Sequence, residues 1–128
     1  MPIELKMLVW SAALALVQVM IAAAAAQSKL GLPVLAGNRE NMPPLTGFAL
    51  RASRAHANLL ESLTIFAIVV LVAHATGHLN AATALGAQLF FWARVAYAVV
   101  YLAGIPWVRS AVWAVSIAGI LLIMKELF

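Results

Sequence analysis

The polar residues of this chain gather in a few short clusters, and apolar stretches of membrane length run between them. A helix that crosses a bilayer needs about 20 mainly apolar residues. By that measure four spans are predicted, over about residues 3–27, 46–75, 81–103 and 107–124. Ser28 and Lys29 close the first span before Gly31 and Pro33. A polar loop over residues 35–46 follows, punctuated by Gly37 and by Pro43-Pro44. Residues 76–80 form a short turn, and Gly104-Ile105-Pro106 separates the last two spans. With no linker between the spans, the expectation is one all-helical, four-span transmembrane domain over residues 1–128.

The start of the chain has some features of a secretory leader, including the alanine tract at residues 22–26. Glu4 offsets Lys6, however, and the apolar run from 7 to 26 exceeds the usual 7–15 residues of a leader. It is read as the first span.

Composition points the same way. Of 128 residues 66% are hydrophobic and 9% charged, against roughly 45–50% apolar in soluble domains. A net charge of +4 and a pI near 10.2 would suit nucleic acid only if the basic residues formed an exposed stripe. The eight here are scattered beside or inside apolar segments, so no nucleic-acid partner is expected. The chain has no cysteine, which excludes disulfides, cysteine-ligated metals and a cysteine nucleophile. Any thiol chemistry must come from a bound ligand.

Lys and Arg in short loops set orientation. Lys29, Arg39 and Arg51 flank the first loop and Arg109 follows the last turn, whereas the middle turn has no Lys or Arg. The basic loops are expected in the cytoplasm, with both termini on the other side.

Against this background the intramembrane charges stand out. One charge at the bilayer centre costs about 2.5–3.5 kcal/mol on insertion scales, so such residues are functional candidates. Arg51, Arg54, Asn58 and Glu61 are spaced 3, 4 and 3 and share one face of the second span. Arg94, Tyr97 and Tyr101, spaced 3 and 4, form a matching stripe on the third. The stripes can meet near the cytoplasmic side, beside Arg109.

A purely structural network is one reading, with Arg94 paired to Glu61 and the tyrosines as interfacial anchors. Charge arithmetic leaves it incomplete. One glutamate faces Arg51, Arg54, Arg94 and Arg109, so cation remains in surplus. Surplus guanidinium in a partly buried site suits an anionic ligand. A molecule with two carboxylates and one ammonium would balance the set: arginines fork onto carboxylates, Glu61 takes the ammonium and Asn58 meets amide groups. Glutathione has that pattern, and anionic lipid head groups would also fit.

Two stretches carry a family resemblance. Arg54-Ala55-His56-Ala57-Asn58-Leu59-Leu60-Glu61 resembles the RAxxNxxE signature of the MAPEG family, membrane-associated proteins in eicosanoid and glutathione metabolism. Arg94-Val95-Ala96-Tyr97-Ala98-Val99-Val100-Tyr101, followed by Pro106-Trp107-Val108-Arg109-Ser110, looks like its second signature. The loop Asn38-Arg39-Glu40-Asn41-Met42-Pro43-Pro44-Leu45 resembles the bacterial branch.

The resemblance implies a four-helix protomer in a homotrimer, set in a bacterial inner membrane. It also implies glutathione bound as co-substrate between neighbouring protomers. The implied activity is transferase or peroxidase chemistry on lipophilic electrophiles. By motif position, Arg54, Asn58, Glu61, Arg94, Tyr97, Tyr101 and Arg109 would contact glutathione, with Arg109 as the catalytic cation that holds the thiolate. Members that place the activating arginine at the end of span one are matched here only by Lys29. Ser62 stands where some members have Tyr, and Ala57 where some have Arg, so substrate chemistry does not carry over.

Other signals are weaker. His74 and His78 are four apart without a third ligand nearby, so no metal site is expected. His56 lies off the Arg54–Glu61 stripe and reads as a packing residue or a loop-facing polar group. The four tryptophans, Trp10, Trp92, Trp107 and Trp113, read as interfacial or lipid-facing. Two rival functions remain. One is a non-enzymatic protein that binds anionic lipid or scaffolds a membrane complex. The other is a small antiporter, disfavoured because the first span carries only Glu4, at its edge.

Overall fold

A computed structural model describes residues 1–38 and 42–128. Arg39, Glu40 and Asn41, which entered the orientation and loop arguments, lie outside the described residues. The order is α1 (Ile3–Leu30), α2 (Leu32–Ala36), α3 (Gly47–Ala75), α4 (Ala81–Ala103) and α5 (Pro106–Met124), closed by a 3₁₀ turn at Lys125–Leu127. Among the described residues there is no strand. The four long helices are each long and apolar enough to cross a membrane.

The ends of the helices follow local chemistry. Asn80 caps α4 by accepting from the Thr83 N–H at 3.0 Å, while the Asn80 N–H donates to the Thr83 hydroxyl at 2.8 Å. Gly104 ends the same helix in the left-handed conformation, at φ 79°, which glycine adopts without strain. Pro106 opens α5 at a position where its missing N–H leaves nothing unpaired. The first helix runs one turn further than the expected residue 27 and takes in Lys29. The short α2 replaces part of the expected loop: Gly31 (φ 85°) breaks the chain, and Pro33 suits the first turn of the helix that restarts.

Packing is antiparallel between α3 and α4, and between α4 and α5. The buried positions of α1, Glu4, Met7, Ser11, Ala15 and Gln18, recur every three or four residues and form one stripe. Phe66 of α3 stacks on Phe90 of α4 at 4.0 Å between ring centroids, and Trp10 of α1 meets Phe91 edge-on at 5.6 Å. The closest approach is between α4 and α5, where a Cβ on Gly86 would lie 2.5 Å from the Gly119 carbonyl oxygen. Small residues let membrane helices approach in this way.

Glu4 sits in the first turn of α1, at the edge of the span as expected, but is turned into the bundle. It is 3% exposed, and its carboxylate accepts the Thr83 hydroxyl at 2.6 Å. Lys6 turns instead towards the ring of Trp10, 5.6 Å away.

Candidate functional site

The antiparallel packing brings the start of α3, the end of α4 and the start of α5 to one end of the bundle. There an open cleft of about 370 Å³ is lined by Arg54, Ala57, Asn58, Glu61, Tyr97, Tyr101 and Arg109. Helical spacing explains the grouping. Arg54, Asn58 and Glu61 form a stripe beside the buried face of α3, which carries Ala55, Leu59 and Ser62. Tyr97 and Tyr101 are one turn apart on α4, with ring centroids 5.5 Å apart. Arg109, from the first turn of α5, lies over the Tyr101 ring at 4.7 Å. Six of the seven residues singled out by the sequence therefore meet in one place.

Arg94, the seventh, does not line the cleft. It is 1% exposed and lies behind Tyr97, its guanidinium carbon 4.1 Å from the ring centroid. None of its three side-chain nitrogens has a hydrogen-bond partner among the described residues. The Arg94–Glu61 pair of the network reading does not form. Among the described residues the single ion pair is Lys125–Glu126 at 2.9 Å, near the opposite end of the bundle.

The cleft is consequently a cationic site with polar capacity to spare. Two arginines face one glutamate on its lining. Asn58 leaves its side-chain oxygen buried and unbonded. Unpaired buried groups of this kind are costly, and a bound molecule that bonds them removes the cost.

A smaller cleft of about 200 Å³ adjoins the first, sharing Asn58, Tyr97 and Arg109 and adding Ser110 and Trp113. Trp113, expected in lipid or at the interface, thus borders the site as well. The signal for it was present: Trp113 lies four residues after Arg109, on the same helical face.

The remaining candidates lie elsewhere. Ser62 is buried and donates back to the Leu59 carbonyl at 3.1 Å, so it offers nothing to the cleft. His56 keeps an unpartnered Nδ1 but is not part of the lining. Lys29, exposed in the last turn of α1, is not part of the cleft lining. His78 is engaged with the Thr76 hydroxyl at 2.6 Å, and among the described residues no cluster of three metal-ligating side chains occurs.

No curated protein and no solved structure is similar enough to this chain to count as a match. A family model does match: that of the MAPEG family, over residues 7–127, nearly the whole chain. A four-helix membrane protein with residues of both signature stripes on one cleft, matched along that length, belongs to the MAPEG family, the membrane proteins of glutathione and eicosanoid metabolism.

Proposed function

We propose that the protein is a membrane-embedded glutathione-dependent transferase or peroxidase that acts on lipophilic electrophiles arriving from the bilayer. The observation that carries this reading is the cleft: Arg54, Arg109, Glu61 and an unbonded Asn58 amide oxygen face one space, and no ion pair among the described residues neutralises them. Glutathione brings two carboxylates, one ammonium, two amides and a thiol. The arginines take the carboxylates, Glu61 the ammonium, and the Asn58 oxygen an amide N–H. Tyr97 and Tyr101 wall the site, with Arg94 supporting Tyr97 from behind.

Arg109 then stabilises the thiolate. A free thiol has a pKa of about 8.5, so ionisation near pH 7 needs roughly 2 kcal/mol. One guanidinium about 4 Å away, at an effective dielectric near 20, supplies about 4 kcal/mol before losses. The thiolate attacks the electrophilic carbon, a C–S bond forms, and the leaving group departs with the bonding pair. With a hydroperoxide the thiolate attacks the distal oxygen instead: an S–O bond forms as the O–O bond breaks, and the alkoxide leaves and takes a proton from water. A second glutathione reduces the sulfenic acid to disulfide and water.

The site is completed by further copies of the chain in a homotrimer. Arg54 and Glu61 are exposed on the protomer surface at membrane depth, where lipid is an unfavourable neighbour for charge. The membrane is a bacterial inner membrane. The cleft end, which carries Arg51, Arg54 and Arg109, faces the cytoplasm, and both termini face outward.

Calorimetry with glutathione in detergent, paired with ultraviolet absorbance of the thiolate, tests the reading. Binding together with a thiolate band near neutral pH is the expected result. No heat with glutathione, alongside binding of anionic lipid, would replace the enzyme with a lipid-binding protein.

A further inference from the structure

At the mouth of the cleft, the α3 arginine one turn before Arg54 does not reach into the ligand space. Arg51 is half-buried, and its Nε donates to the Leu102 carbonyl at 3.2 Å. The last carbonyls of a helix have no partner within it. In α4 the Val100 carbonyl accepts from the Ile105 N–H at 3.2 Å and that of Tyr101 from the Gly104 N–H at 3.0 Å. Leu102 is left over, and Arg51 takes it. A cation there also meets the negative end of the helix dipole. The Arg51 side chain lies along Gly104 as well: a Cβ there would be 3.8 Å from Nε and 3.9 Å from Cδ and Cζ.

This bond stands between the two sides of the cleft. It begins three residues before Arg54 and ends on the residue after Tyr101. The loop beyond it, Gly104-Ile105, leads directly into the α5 turn that carries Arg109. Among the described residues it is the one hydrogen bond that joins α3 to α4 or α5. Deeper in the bundle the two sides are held by apolar contact, with Phe66 stacked on Phe90.

We propose that Arg51 is a positioning residue: through the Leu102 carbonyl it sets how far the Tyr101–Arg109 arm stands from Arg54, Asn58 and Glu61. The proposal deepens the glutathione reading and rests on it for its kinetic arm alone. Arg51 touches no ligand. It fixes the width of the space that the ligand fills.

The test uses the full-length protein in detergent and three variants. Arg51→Met keeps the apolar stem and removes the donor, Arg51→Lys keeps a donor, and Arg51→Gln is a second donor-shortened form should the Met variant fail to assemble. Because the chain has no cysteine, spin labels can be placed at Phe48→Cys and Val108→Cys, both exposed, in trimers diluted with unlabelled chain. Arg51→Met should broaden and lengthen the distance distribution between the labels, and Arg51→Lys should restore most of it. In parallel Arg51→Met should raise the glutathione KM about tenfold with a much smaller change in kcat.

A distance distribution that is unchanged in Arg51→Met overturns the positioning role, whatever happens to affinity. A distribution that responds in a protein that binds no glutathione retires the glutathione reading and keeps the positioning role.

Discussion

The guanidinium of Arg94 lies over the ring of Tyr97, 4.1 Å from its centroid, and among the described residues no acid pairs with it. On the next turn Arg109 covers Tyr101 at 4.7 Å. Two cations thus bracket a tyrosine pair, one from inside the bundle and one from the cleft. Cation–ring contact of this kind contributes about 0.5–2 kcal/mol, far less than full desolvation of a guanidinium costs.

Arg94→Met should therefore leave the melting temperature in detergent unchanged or raise it. Replacing even a buried ion pair by apolar chains is often neutral or stabilising by about 1–4 kcal/mol, and a charge without a partner has less attraction to lose. Glutathione affinity should fall at the same time, because Tyr97 loses its support. Thermal unfolding and calorimetry on one preparation read both. A melting temperature several degrees lower would show that the assembly supplies a counter-charge.

Arg109→Ala should abolish the ultraviolet thiolate signal of bound glutathione, whereas Lys29→Ala should leave it intact. Persistence of the band in Arg109→Ala would move thiol activation to another cation.

Glu61→Gln should weaken glutathione binding about tenfold, in line with the roughly 1.5–3 kcal/mol of a hydrogen bond to a charged group. Trimer mass in detergent should stay the same. Loss of the assembled protein would mean that Glu61 holds structure rather than ligand.

Gly119→Ala should destabilise the bundle by at least about 1–3 kcal/mol, the usual cost of overpacking. The new methyl would lie 2.5 Å from the Gly86 carbonyl oxygen and 2.9 Å from the Phe90 nitrogen, and backbone atoms cannot step aside as a side chain can. A melting curve that matches the unsubstituted protein would place the two helices further apart than described.

Much of this arrangement was legible because helical spacing is a strong constraint. Arg54, Asn58 and Glu61, and separately Tyr97 and Tyr101, had to share faces once α3 and α4 were recognised as helices. Spacing does not give depth. Arg94 lies on the same stripe as Tyr97 yet is sealed behind it, because the flank of α4 that carries Phe90 and Arg94 packs inward. The burial of Glu4 was out of reach for another reason: its partner Thr83 is 79 residues away, and no local pattern encodes such a contact. Gly31 and Pro33 read as breakers, although a proline in the first turn is also how a helix restarts, and α2 is the outcome.

At Gly86 and Gly119 the main chains themselves set the spacing of α4 and α5. Leu89, Leu122 and Ile123 crowd around that junction, but backbone meets backbone at its centre, so trimming a side chain there cannot bring the two helices closer. Diversification of what such a pocket accepts is therefore channelled elsewhere, to the outward rows of α3 and to the Ser110–Trp113 flank of α5.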